Sequence, residues 1–267
     1  MIEPAPHIEY VDQGSGPALV LVHGLGGNLQ SWLANIGTLS ARHRVIALDL
    51  PGFGRSDPLA ADATMASYAD ATIGLLDKLG VASATFVGNS MGGLLTIEAA
   101  ARHPERVDAA VLACSGGIPL TTWRHRLVVL PVGRALNRAL HHRPVRRSVL
   151  RHSTTRRAIA AGIIHDTRRV DPSRLIPALD GLGASNFGPT LQAALRYDAR
   201  ASAPHVRCPT LILWGRHDRL LPLRMGTQLN DLIAGSELVV WDDAGHCPMI
   251  EHPERFDALV ADFINSR

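Results

Sequence analysis

Two hydrophobic rhythms alternate along the chain. Short, nearly continuous apolar runs occur at 18–24 (ALVLVHG), 44–52 (RVIALDLPG), 83–90 (SATFVGNS), 106–114 (RVDAAVLAC), 208–215 (CPTLILWG) and 236–245 (SELVVWDDAG). Most of them close on glycine or on a Pro-Gly pair. Runs of this kind are expected where a strand is covered on both faces, as in a parallel sheet. Between them lie segments whose apolar residues recur at helical spacing: 64–80 (TMASYADATIGLLDKLG), 91–104 (MGGLLTIEAAARHP) and 253–266 (PERFDALVADFINS). Thr64 is placed to cap the first, Gly80 to end it, and Pro104 to stop the second. The alternation predicts an α/β fold: a mostly parallel central sheet flanked by helices, joined by right-handed crossovers.

Between about Gly116 and Arg196 the strand rhythm stops. The segment reads as a helical insertion that splits the sheet-forming sequence into two parts. Its charge is unlike the rest of the chain. Thirteen arginines and two aspartates, Asp166 and Asp171, fall between Gly116 and Arg174, a local net charge of +11. The whole chain carries only +3, so the remainder is net −8. Residues 123–140 (WRHRLVVLPVGRALNRAL) mix basic and apolar positions at roughly helical spacing, as segments lying at an interface do. Lys78 is the only lysine, so a compositional preference for arginine is the first reading of the basic insertion.

Composition changes the picture little. The 267 residues are 46% hydrophobic and 19% charged, enough apolar material for a full core. The slight positive balance gives no argument for a nucleic-acid partner. Cys114, Cys208 and Cys247 are odd in number, and their spacing matches no disulfide framework or zinc site, which fits a reducing compartment. The first residues, MIEPAPHIEYVDQG, lack the basic and apolar regions of a signal peptide, and no run of eighteen apolar residues occurs. A cytoplasmic protein is expected, as a monomer or a homodimer.

The chemistry gathers where strands end. Ser90 lies in VGNSMGG (87–93), between a predicted strand and a predicted helix, with Gly88 and Gly92 two residues to either side. A hydroxyl on so sharp a strand-to-helix turn stands above the sheet, and the turn needs small neighbours because its flanks approach closely. The following helix N-terminus favours negative charge there. An ordinary glycine-rich turn would look similar over five residues, so partners decide the matter. His246, in DDAGHCPMIEHPERF, follows the last predicted strand, and Asp218, in LILWGRHDRLLP, follows the strand before it. Both emerge at the carboxyl edge that carries Ser90, in the order nucleophile, acid, histidine. Asp218 could alternatively be a turn residue paired with Arg216 or Arg219, and neighbouring His217 reads as an exposed loop residue. Gly24, in HGLGG after the first long run, opens a loop whose amides can face a reacting carbonyl. The N–H groups of Leu25 and Met91 are the expected oxyanion donors, and His23 is expected to hold the loop.

Together VHGLGGNLQSW, LDLPGFGRSD, VGNSMGG, LILWGRHDRLLP and DAGHCPMIEHPE resemble the α/β-hydrolases, over roughly 8–114 and 195–267. The resemblance implies a core of residues 1–115 and 196–267, with 116–195 as a helical cap over the active site. It also implies a Ser90–Asp218–His246 triad that needs no metal or cofactor. Relatives that hydrolyse epoxides or haloalkanes usually carry aspartate at the elbow. Serine favours acyl chemistry, so a carboxylesterase or monoacylglycerol-lipase-like activity on a small ester or lipid is the first expectation. A carbon–carbon hydrolase of ring-cleavage products is the second. Cys247-Pro248-Met249 stands where that group often has an aromatic residue after the histidine. A cofactor-free haloperoxidase or perhydrolase is the third, and a pocket-binding protein without catalysis the fourth. For the basic cap, a solvated surface, contact with an anionic membrane and recognition of an anionic acyl substrate all remain open. Cys247, beside His246, reads as a buried small residue or as a site of oxidation sensitivity.

Overall fold

The computed structural model describes residues 6–119, 127–128 and 130–266. A seven-stranded sheet forms the centre, built from β1 (Tyr10–Gln13), β2 (Ala18–Val22), β3 (Arg44–Leu48), β4 (Ala84–Asn89), β5 (Val107–Ala113), β6 (Thr210–Gly215) and β7 (Glu237–Trp241). Their order is β1-β3-β2-β4-β5-β6-β7, with β1 antiparallel and every other pairing parallel. The chain leaves β2 for β3 on one side and then returns to β4 on the other. That reversal opens a crevice beyond the carboxyl ends of β2 and β4, where ligands bind in open α/β sheets.

The six apolar runs become β2 to β7. All residues of β4 and β6 are buried, as their unbroken hydrophobicity requires. The edge strand β7 is only partly covered and ends at Trp241, short of the predicted Gly245. β1 was not predicted. Its sequence YVDQ is mostly exposed and is held as a strand by pairing with β3, from Tyr10 opposite Leu48 to Gln13 opposite Val45.

Helices cover both faces. α1 (Leu33–Leu39) precedes β3, and α2 (Met65–Lys78) and α3 (Met91–Arg102) follow it. Thr64 caps α2 as expected: its hydroxyl accepts from Ser67 N–H at 3.4 Å, and Ser67 Oγ accepts from Thr64 N–H at 3.1 Å. Between β5 and β6 the described residues form α4 (Leu130–His141), α5 (Arg143–Arg151), α6 (Ser153–Ala160), α7 (Pro172–Asp180), α8 (Phe187–Arg196) and the short α9 (Ala199–Ser202). None of them adds a strand to the sheet. α10 (Arg224–Leu232) joins β6 to β7, and α11 (Pro248–Glu251) and α12 (Pro253–Asn265) close the fold. One apolar core lies between the sheet and α2, α3 and α10. The other lies between the sheet and α1 and α12. Among the described residues no helix is long and apolar enough to cross a membrane.

Candidate active site

Ser90 sits between β4 and α3 with φ 55° and ψ −114°. Cys114 is the only other described non-glycine residue with positive φ. This backbone is costly for an L residue and persists only where the surroundings enforce it. Here they do. The Ser90 amide donates to Ala113 O at 2.9 Å, and the Ser90 carbonyl accepts from Gly93 and Gly116 amides at 3.0 and 3.2 Å. The two flanking glycines are needed for close approach. A Cβ on Gly88 would stand 2.2 Å from Gly92 O, and one on Gly92 would stand 2.2 Å from Val22 O. Backbone carbonyls cannot move aside cheaply, so no side chain fits at either position.

The structure brings Asp218 and His246 together. His246 Nδ1 lies 2.7 Å from Asp218 Oδ2, with the two side chains 5% and 1% exposed. The other carboxylate oxygen, Oδ1, accepts from the Leu220 and Leu221 amides at 2.8 and 2.9 Å. Those bonds fix the carboxylate plane. With a carboxylate oxygen as its partner, Nδ1 is the donor of this bond, and Nε2 is the ring nitrogen that points away from Asp218. Arg216 pairs instead with Asp242, and the Arg219 guanidinium donates to Ala161 O at 2.5 Å. His217 is exposed, its ring stacked on His165 at 3.8 Å.

Gly24 adjoins the elbow: a Cβ there would come 3.1 Å from Ser90 Cβ. Leu25 occupies the second position of a turn closed by the Gly27 N–H on Gly24 O at 3.0 Å. Met91 is the first residue of α3, so its N–H has no acceptor inside the helix. His23 is fully buried and holds this loop in place. Its Nε2 accepts from Leu50 N–H at 2.9 Å, so its Nδ1 carries the proton and donates to Gly24 O at 2.7 Å. Burial pushes the His23 pKa down, which keeps this neutral tautomer.

Three residues of the site were not singled out in the sequence. Asn89, just before Ser90, donates to the His246 carbonyl at 3.0 Å and to Ala113 O at 3.1 Å, and so ties the histidine loop to the elbow. Cys114 lies beneath the acid–histidine pair, its Sγ within 4.8 Å of their ligating atoms. It accepts from Gly215 N–H at 3.4 Å and donates to Gly245 O at 3.5 Å. Burial drives its thiol pKa well up, as it does for Cys247. A neutral thiol beside an acid and an imidazole already bonded to each other is a poor cation site, because a metal would need all three to give up partners or protons. Glu251 is the third. Its carboxylate accepts from Gly245 N–H at 2.8 Å and from His165 N–H at 2.7 Å, while His246 N–H donates to Ile163 O at 2.8 Å. Residues 163–165 of the insertion are thus pinned to the loop that carries His246. These three could not be ranked from sequence, since each acts through a contact that crosses from one element to another.

The geometry is that of a serine at an enforced turn and an acid-held histidine whose loop is tied to that turn through Asn89, at the crevice of an α/β sheet. A sequence model of the alpha/beta hydrolase fold matches residues 17–253, and the chain belongs to that family. A 2-hydroxymuconate semialdehyde hydrolase of Pseudomonas sp. strain CF600 is 33% identical over 265 residues, 95% of this chain and 88% of that protein. The crystal structure of a meta-cleavage product hydrolase from Pseudomonas fluorescens superposes with a TM-score of 0.76 at 27% identity, covering 98% and 95% of the two chains. An esterase from Thermogutta terrifontis superposes with 0.77 at 26% identity, covering 98% and 94%. The relatives and the fold define the chain as a hydrolase.

Proposed function

We propose that the protein is a serine hydrolase of carboxylic esters, working through an acyl-enzyme on Ser90. The observation that carries this reading is the enforced φ of Ser90 together with an Asp218–His246 pair at 2.7 Å whose loop is bonded to the elbow through Asn89. His246 Nε2 takes the Ser90 proton as Oγ attacks the ester carbonyl, and Asp218 stabilises the imidazolium that forms. The amides of Leu25 and Met91 hold the tetrahedral oxyanion, each contributing about 3 kcal/mol. His246 then protonates the departing alcohol, and water releases the acid by the reverse sequence. The insertion serves as the cap. Leu182 and Phe187 stand over the oxyanion loop, 3.0 and 3.2 Å from where a Gly26 Cβ would be, and offer an apolar wall for the acyl chain.

A second reading is favoured by the names of the relatives: cleavage of a carbon–carbon bond in a ring-cleavage dienoate, using the same serine and histidine. Against it, the residues after His246 are Cys247, Pro248 and Met249, all buried and none aromatic. The test is a panel of nitrophenyl esters from acetyl to long acyl, with monoacylglycerols and a dienoate, run on the wild type and on Ser90→Ala. Ester turnover falling about 10⁴-fold or more in the variant is the expected result. Dienoate cleavage far above ester turnover would promote the second reading. Turnover unchanged in Ser90→Ala would overturn both.

A further inference from the structure

We propose that the α4–α5 face of the insertion docks on an anionic lipid surface. Seven large apolar side chains are exposed among the described residues, and four of them fall within one stretch of the chain, 127–145: Leu127 (71% exposed), Val128 (45%), Val132 (60%) and Val145 (42%). α4 packs on α5, so the helices that carry Val132 and Val145 belong to one unit, and Leu127 and Val128 directly precede α4 in the chain. Along α4, Val132, Ala135 and Ala139 share the exposed stripe at i, i+3 and i+7, flanked by the exposed Arg134 and Arg138. Arg147 and Arg151 are exposed on α5. Ten arginines lie between Arg124 and Arg157, and no aspartate or glutamate occurs between Asp108 and Asp166.

A polyanion would satisfy the guanidinium groups alone and leave the aliphatic side chains against water. A bilayer interface takes both kinds, the aliphatics in the acyl boundary and the guanidinium groups on headgroup phosphates. Charge also orients the molecule. The chain outside 116–174 is net −8, so an anionic surface repels its other faces and attracts this one. The occupant is therefore an anionic membrane surface. Docking there does not depend on which bond the enzyme cleaves, and it is read without turnover.

The experiment is co-sedimentation of the full chain with vesicles of phosphatidylcholine alone and with about 30% phosphatidylglycerol, at low salt and at about 0.5 M NaCl. Two double variants, Leu127→Ser/Val132→Ser and Arg134→Gln/Arg138→Gln, run alongside, with thermal melts to establish that each is folded. Binding to the anionic vesicles about tenfold above the neutral ones, lost at high salt and reduced several-fold in both variants, is the expected result. Equal binding to both vesicles, or none to either, would overturn the proposal. So would full binding by the Leu127/Val132 variant together with competition by a short duplex oligonucleotide, which would make the partner a nucleic acid. Self-association abolished by the same variants, without vesicle binding, would assign the face to a second copy of the chain.

Discussion

α3 and α4 are each twelve residues long, and each carries glycine in its first four residues, yet they live in opposite environments. Ten residues of α3 are buried, and the helix is wedged against the sheet with Ser90 at its tip. In α4 only Leu140 is buried. The same residue type therefore means different things in the two helices. Gly92 is required because backbone carbonyls of Val22 and His23 occupy the place of its Cβ, whereas a Cβ on Gly133 would meet nothing within 4 Å. The elbow sits where the packing tolerates no change, and the exposed face of α4 sits where almost any change is tolerated.

The sharpest way to break this contrast is Gly92→Ala. The added methyl must displace the end of β2, and a loss of stability above about 3 kcal/mol is expected, read as a fall in the denaturation midpoint or as failure to fold. Wild-type stability in that variant would remove the close-packing account of the elbow. Glu251→Gln comes next. The carboxamide presents an N–H to one of two amides that now donate to a carboxylate, so the His246 loop loses one of its ties. A tenfold to hundredfold fall in kcat with little change in KM is expected, on the order of 1.4–2.8 kcal/mol. An equal effect on KM alone would show that the tie orients substrate and not the histidine.

Asp257 sharpens the comparison on the far face of the sheet. It is buried against Asn35, whose Nδ2 donates to its Oδ1 at 2.8 Å, and desolvation pushes its pKa up to about 6. The folded protein therefore keeps this proton to about pH 6, while the unfolded chain releases it near pH 4. Stability falls as pH rises between those values and stays lower above them. Asp257→Asn is expected to gain about 1–2 kcal/mol at neutral pH, after solvent screening, and nothing near pH 4. Urea titrations at both pH values check the sign. The smallest effect is expected at Gly133→Ala, a gain of about 0.5–1 kcal/mol from helix propensity alone, seen as a slightly raised midpoint. A loss there would mean that α4 is more tightly packed than its exposure indicates.

Much of the fold was legible because its signals are local. Buried parallel strands must be apolar throughout, so β2 to β6 announced themselves. A serine at a strained turn needs glycine on either side, so VGNSMGG marked the turn, and the strand-end partners distinguished it from an ordinary glycine-rich one. Asp218 and His246 were legible as strand-end residues in the right order. β1 was not, because an edge strand exposed to solvent carries no hydrophobic code and takes its shape from β3. Asn89, Cys114 and Glu251 were not, because their sequence resembles ordinary turn, strand-end and helix residues.

What the sequence determined by itself is the strand–helix alternation, the elbow and the charge asymmetry of the insertion, each set by short-range sterics or by composition. What only the tertiary structure decided is the joining of distant segments. Asn89 meets the His246 carbonyl across 157 residues, and Glu251 meets His165 across 86. The fixed Asp218–His246 geometry likewise depends on loops from two different strands. Such contacts depend on where the sheet order places each strand end, and strand order follows from the packing of whole layers, which no single stretch of the chain encodes.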